Sequence, residues 1–275
     1  MVTVHKLSPG GGIGDEVEQD AQLDLGVYSH QVMASPSNET LIMPTRGNDE
    51  KGGQPPDTGS IEVYGFKSGK LDLLASSSAV PEFGPRHVVF HPSGKWMYLS
   101  VERQNRLLTY SMETGSMPST SPTFDCSSLG REQALEGRQI ACAIHVHPNG
   151  QFLYQSNRSG GFYEEDGLRL PHTNEDSIAA FSINQESGEP TPIQHIDVPS
   201  IHTRTFSLHP SAKLLVAGTV QPVPVKSDGG VRIVPSALMV YRVAEDGMLS
   251  FARLYEMNTL GKLMFWTGMI TLPES

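Results

Sequence analysis

The chain has 275 residues and carries 30 Asp and Glu against 20 Lys and Arg, a formal net charge of −10. This acidic balance repels phosphate backbones and anionic membrane surfaces, so neither nucleic-acid binding nor membrane association is expected. The 27 glycines, the 20 prolines and the low share of charged residues (18%) predict many turns and few long helices, which favours an all-β fold.

The two cysteines, Cys126 and Cys142, form no disulfide framework and have no metal-ligand spacing, which suits a reducing compartment. The N-terminal "MVTVHKLSPGGGIGDE" lacks the apolar core of a signal peptide, and no apolar run reaches about 18 residues. Its glycines lack the spacing of a phosphate or dinucleotide loop, so they predict a linker. We therefore expect a cytoplasmic protein without a cofactor or a metal site.

An internal repeat begins in the N-terminal third and continues along the chain. Each unit has a short apolar run, a turn with a proline seven residues in, and a second β-rich run. The units start at His30, Arg86, Cys142 and Arg204, and their prolines are 56, 56 and 62 residues apart. These prolines are Pro36, Pro92, Pro148 and Pro210.

A third alternating run, a turn with glycine and a weaker fourth strand follow each hairpin, as in "NRLLTYSM" and then "METGSM". Four antiparallel strands per repeat are typical of a β-propeller blade. We predict one β-propeller domain over residues 1–275 with about four and a half blades, the repeats starting near 30, 86, 142 and 204 and residues 1–26 giving outer strands of a partial blade. A β-sandwich with coincidental hairpins is the alternative.

Three further segments stand outside this rhythm. The interruptions at 159–175 and 221–235 are expected to be loops over one face of the disc. The C-terminal "GKLMFWTGMITLP" is a candidate closing strand.

The repeat also selects a set of positions at one rim of the disc. In a blade, the start of strand one and the end of strand two lie side by side. These positions are six residues before each proline and ten after it. They pair His30 with Arg46, Arg86 with Glu102, Cys142 with Arg158, and Arg204 with Val220.

Such a set of side chains from four blades predicts a charged pocket. Clustered arginines bind a carboxylate or a phosphate through charge-assisted hydrogen bonds. Arg86 and Glu102 could instead form a cross-strand ion pair that only closes a hairpin. His145 is a further candidate for the channel, whereas His87 should point away from it if the strand is regular. Cys142 is expected to be a buried apolar residue rather than a nucleophile.

The hairpins resemble those of the seven-bladed propeller lactonase family, which includes the bacterial type of 6-phosphogluconolactonase and the fungal 3-carboxy-cis,cis-muconate lactonizing enzyme. The resemblance rests on "GPRHVVFHPSGKWMYLSVE", "IHVHPNGQFLYQSNR", "RTFSLHPSAKLLVAG" and "SHQVMASPSNETLIMP". It implies hydrolysis of an anionic sugar lactone, with 6-phosphogluconolactone as the named candidate. Alternatives are lactonisation of a muconate-type diacid, a non-catalytic binding scaffold, and an inactive remnant.

The resemblance also implies roles for the rim residues. The family's histidine, arginine and glutamate fall on His30, Arg86 and Glu102, which are predicted to be catalytic, with either His30 or Glu102 as the base. The predicted substrate-binding residues are Arg158, Arg204, Arg46 and His145. Only 29 residues precede His30, where the family has about three blades. The exposed strand edges of an incomplete ring would favour oligomerisation.

Overall fold

The structure, a computed structural model, describes residues 2–50, 53, 55–78, 83–131, 136–172 and 174–271. All regular structure in these ranges is β-strand, as the sequence predicts. Within the same ranges, no helix has the length and apolar character needed to cross a membrane.

The first half of the chain forms a short hairpin and two sheets. The hairpin pairs β1 and β2, and each sheet that follows is an antiparallel ladder in chain order. The hairpin strands are β1 (His5–Leu7) and β2 (Ile13–Glu16). Sheet one contains β3 (Met33–Ala34), β4 (Thr40–Thr45), β5 (Ser60–Lys67) and β6 (Lys70–Ser78). Sheet two contains β7 (Pro85–Phe90), β8 (Trp96–Val101), β9 (Arg106–Glu113), β10 (Met117–Pro118) and β11 (Phe124–Ser127), the last two both paired with β9.

The second half forms two four-stranded sheets, and each has a hairpin inserted between its second and third strands. Sheet three contains β12 (Gln139–Val146), β13 (Phe152–Ser159), β16 (Ser177–Ile183) and β17 (Pro190–Asp197), with the hairpin β14 (Phe162–Glu165) and β15 (Leu168–Pro171). Sheet four contains β18 (Thr203–Leu208), β19 (Leu214–Thr219), β22 (Ser236–Val243) and β23 (Leu249–Met257), with the hairpin β20 (Val223–Ser227) and β21 (Gly230–Val234).

The turns between the first two strands share one backbone conformation. The residue two positions after each repeat proline has a positive φ: 58° at Asn38, 72° at Gly94, 75° at Gly150 and 59° at Ala212. Glycine adopts this left-handed conformation without a steric penalty, which explains the Pro-x-Gly pattern of the second and third repeats.

Apolar side chains fill the spaces between successive sheets. Separate clusters lie between sheets one and two, between two and three, and between three and four, each built from both facing sheets. The inner strand β12 lies next to both β7 and β18. Four sheets packed face to face in this way are the blades of a propeller, so we call them blades one to four.

Two predictions about the irregular segments are wrong. The interruptions at 159–175 and 221–235 contain β-hairpins and are not simple loops, because Asp166-Gly167 and Asp228-Gly229 form tight two-residue turns. Residues 258–271 form no strand, although the sequence offers a closing strand there; residues 272 and 273 of that candidate lie outside the described residues.

Candidate functional site

The inner strands of three blades are irregular at the same rim. The antiparallel register shifts between Pro85 and His87 in β7, between Ala141 and Ile144 in β12, and between Thr203 and Thr205 in β18. Such bulges break the alternation of side chains between the two faces of a strand.

The bulges place consecutive side chains on one cavity. Arg86 and His87 both line it, and so do Arg204 and Thr205. The expectation that His87 points away from Arg86 is therefore wrong, because it assumed a regular strand.

Glu102, at the end of β8, is the common partner of three arginines. Its Oε1 accepts hydrogen bonds from Arg46 Nη1 at 3.2 Å and from Arg138 Nη2 at 3.1 Å, and its Oε2 accepts one from Arg86. Only 1% of Glu102 and 2% of Arg86 is exposed to solvent. Both carboxylate oxygens are thus occupied by guanidinium donors in a site shielded from water.

Burial and charge act in opposite directions on this carboxylate. Burial alone would raise the pKa of Glu102, but the positive charges of Arg86 and Arg46 outweigh it and hold the pKa below its usual value. Burial also disfavours the charged form of Arg86 and so lowers its pKa. The neighbouring Cys142 and Glu102 outweigh this effect, and the pKa of Arg86 lies above its usual value. Glu102 and Arg86 therefore form a charged pair at neutral pH.

His30 lies just before blade one and faces the same group of cations. Burial first, then the charges of Arg86 and Arg204, lower the pKa of His30 to about 3, so its imidazole is neutral at physiological pH. Its ring meets that of His87 edge-on at a centroid distance of 4.6 Å. Within the described part of the chain, its buried Nδ1 has no hydrogen-bond partner.

A cavity of about 190 Å³ lies beside His30 and Arg86. It is lined by His30, Arg86, His87, Ala143, Arg204, Thr205, Phe265 and Trp266. Burial, followed by the charge of Arg86, lowers the pKa of Arg204 to about 10, which still leaves this arginine charged at neutral pH. Burial, followed by the charge of Arg86, also holds the pKa of His87 well below its usual value. The cavity therefore combines two guanidinium groups with two neutral imidazoles and an aromatic wall.

One further contact holds Arg158, and another fixes the chain just before Arg204. Arg158 Nε donates to the buried sulfur of Cys142 at 2.8 Å, so Cys142 is the buried small residue that the sequence predicts. Asp176 fixes the loop before Arg204, because its Oδ1 accepts from the backbone N–H of His202 at 2.7 Å. Burial raises the pKa of Asp176 to about 7 in spite of that hydrogen bond.

The remaining predicted residues lie at different places. Arg46 joins the group through Glu102 and also lines a neighbouring cavity of about 670 Å³ with Tyr28 and Asp49. His145 packs edge-on against Phe206 between blades three and four, so its predicted contact with substrate is not supported by its position.

Sequence reasoning missed several residues of the site. Arg138 lies in the loop before blade three, four residues ahead of the repeat, so the repeat could not select it. Phe265 and Trp266 lie beyond the last repeat unit. For Arg138, the only available signal was its position beside a glycine in "EGRQ". Among the described residues, no group of three or more His, Cys, Asp or Glu side chains could hold a metal ion.

A comparison with known protein families identifies the family of this chain. Residues 13–221 match the family described as "Lactonase, 7-bladed beta-propeller". The chain belongs to this lactonase family. The match covers all four inner hairpins and ends before residues 222–275.

Two curated relatives and one solved structure illustrate the relationship. A 6-phosphogluconolactonase of Formosa agariphila is 32% identical over 168 residues, which cover 58% of this chain and 42% of that protein. A 6-phosphogluconolactonase of Pectobacterium carotovorum is 27% identical over 236 residues, which cover 78% and 65%. The periplasmic gluconolactonase of Pseudomonas aeruginosa shares the fold, with a TM-score of 0.67 at 17% identity over 94% of this chain and 64% of that one. This lactonase-family chain thus spans 42% to 65% of the length of the two curated relatives.

Proposed function

We propose that the chain hydrolyses an anionic sugar lactone, with 6-phosphogluconolactone as the named substrate. The observation that carries this proposal is the cavity in which neutral His30 faces the charged Arg86 and Arg204. The curated relatives named 6-phosphogluconolactonase support the choice of substrate.

The arginines give the site its affinity for anions. Arg204 and, next to it, Arg158 bind the phosphate, and Arg86 stabilises the oxyanion that forms when water attacks the lactone carbonyl. The reaction adds water across the ring C–O bond: the water oxygen bonds to the carbonyl carbon, and the ring oxygen leaves with a proton.

His30 is the base in this scheme. It takes a proton from the attacking water, and the same proton can pass to the ring oxygen as the C–O bond breaks. A pKa of about 3 makes the free imidazole a weak base. A bound phosphate offsets the neighbouring arginines and raises this pKa, so the base strengthens when substrate is present.

Glu102 acts on the arginines and not on water. Its two oxygens already accept from Arg86, Arg46 and Arg138, and its low pKa disfavours proton uptake. Of the two candidate bases, the proposal therefore assigns the role to His30 and makes Glu102 a positioning residue.

Muconate lactonisation is the second enzymatic candidate, because the same arginines could bind the carboxylates of a diacid. A parallel assay separates the two: proton release at constant pH from 6-phosphogluconolactone and from unphosphorylated gluconolactone, and loss of ultraviolet absorbance of 3-carboxy-cis,cis-muconate. We expect hydrolysis of the phosphorylated lactone at least about 100-fold faster than in buffer, the typical minimum contribution of a general base.

A matched pair of variants tests the anion site. Arg204→Ala should raise KM for the phosphorylated lactone and leave the unphosphorylated one nearly unchanged, whereas Arg232→Ala, on the exposed strand β21, should change neither. Turnover of muconate alone would replace the proposal, and turnover of none of the three would favour a binding scaffold or an inactive remnant.

The organisation of the chain is part of the proposal. Residues 1–275 form one propeller domain, in which residues 1–26 give outer strands of a partial blade and the repeats start near 30, 86, 142 and 204. A cytoplasmic location fits a phosphorylated sugar substrate.

A further inference from the structure

The segment after the last strand, residues 258–271, runs back along blade four without forming a strand. Met264 N donates to Val220 O at 2.8 Å, and Thr267 N donates to Thr205 Oγ1 at 3.3 Å. These two bonds fix the intervening residues beside the rim. The segment lies outside the part of the chain that matches the family, residues 13–221.

The two residues held between these bonds complete the cavity wall. Phe265 and Trp266 line it together with Arg204 and His30. The guanidinium of Arg204 lies 4.7 Å above the centre of the Phe265 ring, a cation–π distance. The Phe265 ring thus holds Arg204. The neighbouring indole of Trp266 has no cation above it among the described residues.

The exposure of Trp266 is unusual for this residue type. Of Trp266, 67% is exposed, against 6% of Trp96, the other tryptophan of the chain. A flat apolar surface left open beside two cations suits a ligand that carries a negative charge at one end and a flat ring at the other.

We infer that Trp266 is a specificity-determining residue that stacks on the ring of a cyclic sugar phosphate, while Phe265 positions Arg204 for the phosphate. This inference rests on the proposed function for its ligand class but concerns residues that the family match does not include. It predicts that the cavity distinguishes a phosphorylated ring from phosphate alone.

Binding of two stable probes tests this directly. Glucose 6-phosphate carries both ring and phosphate, and inorganic phosphate carries only the charge. By calorimetric titration, Trp266→Ala should weaken the binding of glucose 6-phosphate about fivefold, because stacking contributes on the order of 1 kcal/mol and 1.4 kcal/mol is tenfold in affinity. The affinity for inorganic phosphate should stay within about twofold. Arg204→Ala should weaken both probes. Leu260→Ala, in the same segment but outside this cavity, should weaken neither.

Fluorescence supplies a second readout, because the chain has only two tryptophans. Glucose 6-phosphate should change the emission of the wild type and of Trp96→Phe, and it should not change that of Trp266→Phe. Equal affinity of Trp266→Ala and the wild type for glucose 6-phosphate, or no binding of this probe to the wild type, would overturn the inference. Lactone hydrolysis is measured separately: binding as predicted without turnover would reject the proposed function alone, and an unchanged KM for 6-phosphogluconolactone in Trp266→Ala would reject the inference alone.

Discussion

Glu102 brings together arginines from three separate parts of the chain. Arg46 follows β4, Arg86 lies in β7 and Arg138 precedes β12, and all three donate to its carboxylate. Three cations at such distances would repel one another in a poorly hydrated site without this counter-charge. A single buried carboxylate therefore stabilises the rim and sets its geometry.

Removing the charge of Glu102 should destabilise the fold. Glu102→Gln leaves Arg86 buried without an anionic partner, and breaking a buried ion pair costs about 3 to 5 kcal/mol. Guanidinium chloride unfolding followed by circular dichroism should show this loss, whereas Glu245→Gln, in an exposed turn, should leave the midpoint unchanged. Equal midpoints for Glu102→Gln and the wild type would show that the carboxylate does not organise the arginines.

The lowered pKa of His30 predicts the pH dependence of hydrolysis. A base acts in its unprotonated form, and with a pKa of about 3 this form predominates at every pH above about 5. With unphosphorylated gluconolactone, whose charge does not change in this range, the enzymatic kcat/KM, after subtraction of spontaneous hydrolysis, should therefore stay level between pH 5 and 8. A fall with a midpoint near 6.5 would mean that the imidazole is not held neutral by burial and arginines.

At the scale of the strands, the blades are joined by a repeated contact. The turn between the last two strands of one blade packs on the second strand of the blade before it. Tyr98 donates to the carbonyl of Gly188 at 3.0 Å, and Tyr154 donates to that of Gly247 at 2.8 Å. Both glycines have a positive φ, and a Cβ at Gly188 would lie 2.5 Å from Trp96.

Adding that Cβ should loosen the joint between blades two and three. Gly188→Ala combines backbone strain with overlap against an indole ring, so we expect it to lower the free energy of unfolding by about 1 to 3 kcal/mol. Gly229→Ala is the matched control, because its added Cβ meets open space and its φ is not in the strained region. Thermal unfolding of both variants measures the difference, and an unchanged transition in Gly188→Ala would exclude the joint as a source of stability.

The sequence predicted the positions of the hairpins more accurately than the positions of the side chains at the rim. The repeat prolines and the glycines after them determine the turns locally, so the first two strands of each blade could be located. The bulge at Pro85–His87 could not be predicted, because it depends on how three blades meet and leaves no periodic signal. The turn at Asp166-Gly167 was a readable hairpin signal, and its interpretation as a loop overlooked that turn chemistry.

The molecule as a whole has a formal net charge of −10, although the rim carries several arginines. Anion binding therefore depends on arginines that are shielded within the cavity and not on long-range attraction. Apolar side chains such as Leu74 on β6 and Phe251 on β23 are exposed on outer strands. Oligomerisation through exposed blade edges remains a prediction.

Hydrolysis of 6-phosphogluconolactone by His30→Gln tests the central claim, that a neutral imidazole among arginines performs the chemistry. We predict a fall in kcat of at least about 100-fold with affinity for glucose 6-phosphate nearly unchanged. His209→Gln makes the same substitution in a turn before Pro210 and should retain full activity. Wild-type kcat in a folded His30→Gln chain would contradict the account.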